Sequence, residues 1–349
     1  MRTSFIKGAD ISFVDEIESE GGTFYENGQE RDVLDILKDS GVNSARLRLW
    51  NNPDFDYCNP QKTPKMAKRI KEKGMHFLLD FHYSDYWADP SKQFMPKEWE
   101  RLSFPQLVEQ VEEFTASMLR KLEAEDALPD MVQVGNEITN GMLWEEGRVD
   151  GEHNTPEQWE KLTALIAAGV RGVRAVTKNG QPIPVMIHID RGGDNTGSRF
   201  FYDKISEFDI DYDIIGLSYY SWWHGTLEEF TDNMNDLACR YRKPIVVVEV
   251  AYPWTMTPPD EQKLIFNMEE WVHPGFPPTV EGQRKWLEEL IRRIRQVPNG
   301  RGQGIYYWEP CWIPSKPEWS VGHENNWSNL TLFDYQGNKL DSLDAFLEK

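Results

Sequence analysis

Two glutamates close apolar runs, where a charge is costly. Glu137 ends Met131-Val132-Gln133-Val134-Gly135-Asn136-Glu137, and Glu249 ends Ile245-Val246-Val247-Val248-Glu249. A short Val/Ile-rich run bounded by turn residues reads as a strand buried on both faces, so an acid at its C-terminal end needs a partner or a task. In a parallel α/β barrel the C-terminal strand ends converge on one mouth, and acids from different strands can face each other across a substrate. Two such carboxyls are the minimal machinery for cleaving a glycosidic bond. The plainer reading makes each acid a strand-end cap or an ion-pair partner. An Asn-Glu pair after an apolar strand is hard to motivate that way.

The roles divide by chemistry. A retaining glycosidase needs an acid to protonate the leaving oxygen and, about 5 to 5.5 Å away, a carboxylate nucleophile. Glu137 suits the first role, because a neighbouring negative charge keeps it protonated near neutrality. Glu249 suits the second, and Arg48 at the end of the second apolar run is expected to hold it ionised, the alternative being a surface salt bridge for Arg48. Asn136 is placed to donate to a sugar 2-hydroxyl.

Positioning these residues requires strands, and eight apolar runs supply them: 4–11, 44–50, 76–82, 131–137, 184–190, 214–220, 245–250 and 304–309. Helix signals lie between. Ser103 with Gln106, Thr155 with Gln158 and Thr226 with Glu229 match capping boxes, and 32–38, 66–73, 198–207 and 286–295 are amphipathic. Strand and helix alternating eight times predict a single (β/α)8 TIM barrel, in the α/β class, occupying residues 1–349 as one domain. Asp10, Arg48, Asp80, His82, Asn136, Glu137, His188, Asp190, Tyr220, Glu249, Trp308 and Glu309 all fall at or near C-terminal strand ends, the active face of that fold.

Composition narrows the partners. With 38 basic and 58 acidic residues among 349, the formal charge of −20 argues against nucleic acid or an anionic membrane surface. No window approaches the ~20 apolar residues of a membrane span. The 14 Trp, 13 Tyr and 17 Phe, many beside Gly, Pro, Asn or Asp, suggest a stacking surface. Cys58, Cys239 and Cys311 have no metal-ligand spacing and read as free thiols. The N-terminus has no apolar signal segment, which predicts a cytoplasmic protein as the chain stands, or a secreted one if a signal has been removed. A monomer is expected.

Five ordered motifs carry a family resemblance: Lys7-Gly8-Ala9-Asp10-Ile11-Ser12; Ser44-Ala45-Arg46-Leu47-Arg48-Leu49-Trp50-Asn51-Asn52-Pro53; Asp80-Phe81-His82-Tyr83-Ser84-Asp85-Tyr86-Trp87-Ala88-Asp89-Pro90; Val134-Gly135-Asn136-Glu137; and Tyr306-Tyr307-Trp308-Glu309-Pro310. Together they resemble glycoside hydrolase family 53, the endo-β-1,4-galactanases, from near residue 5 to the segment 329–334. The resemblance implies a clan A barrel that retains anomeric configuration on β-1,4-galactan or type I arabinogalactan. By position, Glu137 falls on the family's acid/base, Glu249 on its nucleophile, and Asn136 and Arg48 on supporting positions. Trp87, Trp222, Trp223, Trp308 and Trp327 are candidate sugar platforms, with Trp87 and Trp308 preferred. Asp80, His82, His188 and Tyr220 are expected to contact the substrate.

One region departs from the pattern. Several family members bind calcium in a loop after the nucleophile strand, but here that loop reads Thr257-Pro258-Pro259-Asp260-Glu261-Gln262-Lys263-Leu264, without alternating oxygen ligands. No cofactor and no metal ligand is therefore expected, calcium being the one ion the resemblance leaves open. Three rivals stay in view: another clan A endo-glycanase, such as a mannanase or cellulase, a non-catalytic carbohydrate-binding barrel, and a metal-dependent hydrolase on a similar barrel, which a chelator would inhibit.

Overall fold

The computed structural model describes residues 4–261, 263–315 and 325–347. Eight parallel strands close into a barrel: β1 (Ile6–Asp10), β2 (Ser44–Leu49), β3 (His76–Phe81), β4 (Met131–Val134), β5 (Val185–Ile189), β6 (Ile214–Tyr219), β7 (Ile245–Val250) and β8 (Gly302–Tyr307). Each pairs with its sequence neighbours, and β1 pairs with β8 to close the ring. All eight predicted strands are present. All but β7 end short of the apolar runs, β4 stopping at Val134, so Glu137 stands on a turn beyond the ladder rather than within it.

Around the barrel lie α1 (Val14–Ser19), α2 (Val33–Asp39), α3 (Thr63–Glu72), α4 (Phe104–Ala124), α5 (Pro156–Arg174), α6 (Asn195–Ser206), α7 (Leu227–Tyr241) and α8 (Val280–Arg295). Two of the three expected capping boxes form, at Ser103 with Gln106 and at Thr226 with Glu229. Thr155 accepts from the Gln158 backbone, but the Gln158 side chain donates instead to the carbonyls of Glu145 and Arg148. The strand-helix rhythm is incomplete at its end: among the described residues β8 is followed by short 3-10 segments, Ser328–Leu330 and Asp341–Leu347, and no α-helix.

Alternation along the strands sorts the core into two shells. Leu78, Met131, Met186, Ile214, Val246, Val248 and Tyr306 form a compact cluster inside the barrel, and a larger cluster lies between strands and helices. Gly8 has no side chain because the Tyr306 ring occupies the space; a Cβ there would sit 2.2 Å from it. Above the interior cluster the inward positions turn polar and bear the site. The three cysteines are free, Cys58 and Cys311 buried and Cys239 exposed. Among the described residues no helix is long and apolar enough to cross a membrane.

Candidate active site

Inward positions on β1, β2, β3, β5, β6 and β8, or just past their ends, carry Asp10, Arg46, Arg48, Asp80, His82, His188, Asp190, Ser218, Tyr220 and Trp308 at steps of two, as pleating requires. Glu137 and Glu249 reach the same space by breaking that alternation. On β7, Val247 pairs with Leu217 and Glu249 with Ser218, so β7 spends two residues where β6 spends one. Against β8, Val247 pairs with Ile305 and Val250 with Tyr307, three steps against two. The extra residue is a β-bulge that turns Glu249 inward beside Val248. After β4, Gly135 at φ 80° and Glu137 at φ 47° bend the chain so that Glu137 also enters the mouth. A left-handed φ is costly for a glutamate and marks a position held by its surroundings.

Arg46 is the hub. Its Nη1 donates to Asp10 Oδ2 and Glu249 Oε1, both at 2.9 Å. Its Nη2 donates to Asp80 Oδ2 at 2.8 Å, Asn136 Oδ1 at 2.8 Å and Gln133 Oε1 at 3.2 Å. Arg48 does not hold Glu249, contrary to the expectation from sequence. It pairs with Glu309 at 2.7 Å, with its guanidinium against both the Phe13 and Trp87 rings at 4.1 and 4.3 Å from their centroids. Arg46 and Arg48 are two apart and share the inward face, but Arg46 lies deeper, level with Asp10 in the ladder. That shared face was the available signal for Arg46.

Glu249 and Glu137 have different surroundings. Glu249 accepts from Arg46 and, through Oε2, from the Tyr220 hydroxyl at 3.0 Å. Burial lifts its pKa to about 7, with Asp10 and Asp80 adding to the rise and Arg46 opposing it. Glu137 accepts from Ser218 Oγ at 2.6 Å. Burial, and then the charges of Glu249 and Asp190, push its carboxyl well above the ordinary range. Ser218 and Tyr220 are successive inward positions of β6, so each acid rests on a neighbouring point of one strand, ~7 Å apart along it.

A cavity of about 570 Å³ opens over these groups. Of the residues singled out from sequence, Asp10, Arg48, His82, Trp87, Asn136, Glu137, Asp190, Tyr220, Glu249 and Trp308 line it. Asp80 and His188 do not: both are fully buried beneath the lining, where Asp80 bonds Arg46 and His82, and His188 bonds Ser218. Their expected substrate contact is corrected to support of the lining. Trp223 and Trp327 also line the cavity, whereas Trp222 packs against Phe266 at 5.1 Å and stays out of it. Trp312, Arg191, His224 and Lys92 line it without having been singled out from sequence. Burial pushes the His224 imidazole down to about 4, against the pull of Asp190.

Among the described residues no three of His, Cys, Asp and Glu gather so as to hold a metal ion. Of the segment 257–264, Gln262 lies outside the described residues.

A closed parallel barrel whose mouth presents two buried carboxyls under indole rings defines a class, the barrel enzymes that act on sugar chains. The chain matches the model for glycosyl hydrolase family 53 over residues 6–346 and belongs to that family of glycoside hydrolases. It is 57% identical over 344 residues, 98% of this chain and 93% of the other, to a Niallia circulans protein described only as an uncharacterized protein in the bgaB 5' region. It is 36% identical to the arabinogalactan endo-beta-1,4-galactanase of Cellvibrio japonicus, covering 99% of this chain and 90% of that one. Among solved structures, the Ignisphaera aggregans GH53 catalytic domain superposes with a TM-score of 0.91 at 38% identity, covering 99% of this chain and 96% of the other.

Proposed function

We propose that the protein is an endo-acting β-1,4-galactanase that cleaves galactan or type I arabinogalactan with retention, Glu137 acting as acid/base and Glu249 as nucleophile. The unlike environments of the two carboxyls carry this reading. Glu249 has a guanidinium and a phenol to stabilise its charge, which a nucleophile requires. Glu137 has no cationic partner among its hydrogen bonds and faces three other acids, Glu249, Asp190 and Asp89, which keeps the proton it must donate.

In the first step Glu249 attacks the anomeric carbon while Glu137 protonates the departing oxygen; the glycosidic bond breaks and a glycosyl-enzyme ester forms. In the second, Glu137 takes a proton from water as that water displaces Glu249, regenerating both groups. The two carboxyls account for every bond and proton, so the proposal invokes no cofactor. Asn136, held by Arg46 and by its own bond to the Ala88 carbonyl, sits beside Glu137 where a 2-hydroxyl would be met. Trp87 and Trp308 offer apolar faces for galactose rings. One barrel acting as a monomer is the proposed unit, and the substrate name follows the galactanase relatives.

Digestion of linear β-1,4-galactan, mannan and cellulose with product analysis tests the substrate; preferential release of oligosaccharides from mannan or cellulose would overturn it. Azide with Glu137→Ala on an activated aryl galactoside tests the roles. A β-azide product supports Glu137 as acid/base, and an α-azide would exchange the two assignments.

A further inference from the structure

Beneath Glu137 a hydrogen-bonded chain runs from β6 to β5. Ser218 Oγ lies 2.6 Å from Glu137 Oε1 and 2.8 Å from His188 Nε2, and both Ser218 and His188 are fully buried. The direction of this chain follows from what surrounds the other ring nitrogen. Arg46 can only donate, and its Nη2 faces Gln133 Oε1, so the Gln133 amide nitrogen is the group 3.0 Å from His188 Nδ1. The Glu137 backbone N–H points at the same nitrogen from 3.4 Å. Gln133 Nε2 also lies 3.1 Å from the Gly135 carbonyl and from Asn136 Oδ1, so its two hydrogens are shared among three acceptors, but the Glu137 backbone N–H can only donate; Nδ1 therefore accepts, and the ring proton resides on Nε2. A second proton on Nδ1 would find Asn136 Oδ1 at 3.1 Å, but burial and the Arg46 charge hold this imidazole well below its ordinary value, so it stays neutral. Nε2–H therefore donates to Ser218, and the Ser218 hydroxyl is left to donate to Glu137.

We infer that Ser218 and His188 are positioning residues that reserve Glu137 Oε1 as an acceptor, so that the proton delivered to the leaving oxygen is carried on Oε2. The same bond stabilises the carboxylate left after the proton has gone, in readiness for its second task as base. This rests on the reading of Glu137 as acid/base. The groups facing Glu137 are Asp89 beyond β3, Asp190 at the end of β5, Tyr220 beside Ser218 and Glu249 on β7; those facing His188 are Arg46, His82 and His224.

The test compares pH profiles of kcat/KM on galactan and on a dinitrophenyl β-galactoside, whose leaving group needs no acid. Ser218→Ala removes a donor that favours the carboxylate, so the pKa of Glu137 rises and the alkaline limb on galactan moves up by about one unit. Galactan turnover falls about tenfold or more, with little loss on the activated substrate, and Ser218→Thr restores the wild-type limb. An unmoved limb in Ser218→Ala, equal losses on both substrates, or a threonine variant that behaves like alanine would overturn the inference. Glu137→Ala is the control. If it loses galactan cleavage while keeping the activated substrate, the acid/base reading stands and a failure at Ser218 belongs to this inference alone; if it still cleaves galactan, the acid/base reading itself has failed.

Discussion

At the residue scale the site holds too many acids for its cations. Asp10, Asp80 and Glu249 share Arg46, Glu309 takes Arg48, and Glu137 has neither. A carboxyl whose folded pKa is raised favours stability below its unfolded value, and that contribution is lost as pH rises through the folded pKa. Glu137→Gln should therefore melt close to wild type near pH 4.5 and progressively higher than wild type as pH rises toward the folded pKa of Glu137, while galactan turnover falls by several orders of magnitude. Melting curves across pH with kinetics on the same samples check it; a constant difference in melting temperature would mean that Glu137 is not the group titrating. Arg46→Lys replaces a fork with a point charge that cannot span both carboxylate sets. It should cost about 2 to 3 kcal/mol of stability and move the acid limb of kcat/KM upward, because Glu249 loses the cation that opposes its rise.

At the element scale the bulge in β7 and the turn after β4 decide where the acids point. Deleting Val248 would remove the extra residue yet keep Glu249 on the inward face, since Glu249 would then follow the outward Val247 directly and still meet Ser218. The expected result is a folded barrel that keeps galactan hydrolysis at a level lowered by the loss of Val248 from the interior cluster, checked by circular dichroism alongside kinetics; a folded variant without activity would contradict this alternation argument. The loop beyond β3 brings Trp87 back over Arg48, and the ring also meets Trp50 at 5.2 Å and Trp308 at 5.9 Å. Being half-buried, it serves packing as well as the cavity. Trp87→Ala should cost about 1.5 to 3 kcal/mol, less than a wholly buried indole, and also raise KM for galactan. A changed melting temperature with unchanged KM would remove Trp87 from substrate binding.

For the whole molecule, a charge of −20 surrounds a site proposed for a neutral polymer. Galactan kinetics should then vary little between low and moderate salt, whereas polygalacturonate should bind poorly at low salt and somewhat less poorly as screening increases. Titrating ionic strength with each polymer measures this, and tight polygalacturonate binding at low salt would contradict it. The pH profile on galactan should be a bell whose acid limb lies between the ordinary glutamate value of 4.5 and about 7, a property of the coupled pair rather than of one residue.

The eight-stranded barrel was legible because buried parallel strands must be short apolar runs and the intervening helices carry their own caps. The acids at Glu137 and Glu249 stood out because charge at the end of such a run demands a use. Trp87, Trp308, Asn136, His82 and Tyr220 followed from their places just past those ends, and all line the cavity. Arg46 was hidden behind Arg48. Both face inward, and only the depth of each layer in the closed ring decides which guanidinium reaches Glu249. Asp80 and His188 were placed in the lining because sequence gives position along a strand but not height above the barrel floor. Alternation by itself would also have turned Glu249 away from the site. A one-residue bulge is a property of two neighbouring ladders in register, and no single strand of sequence contains it.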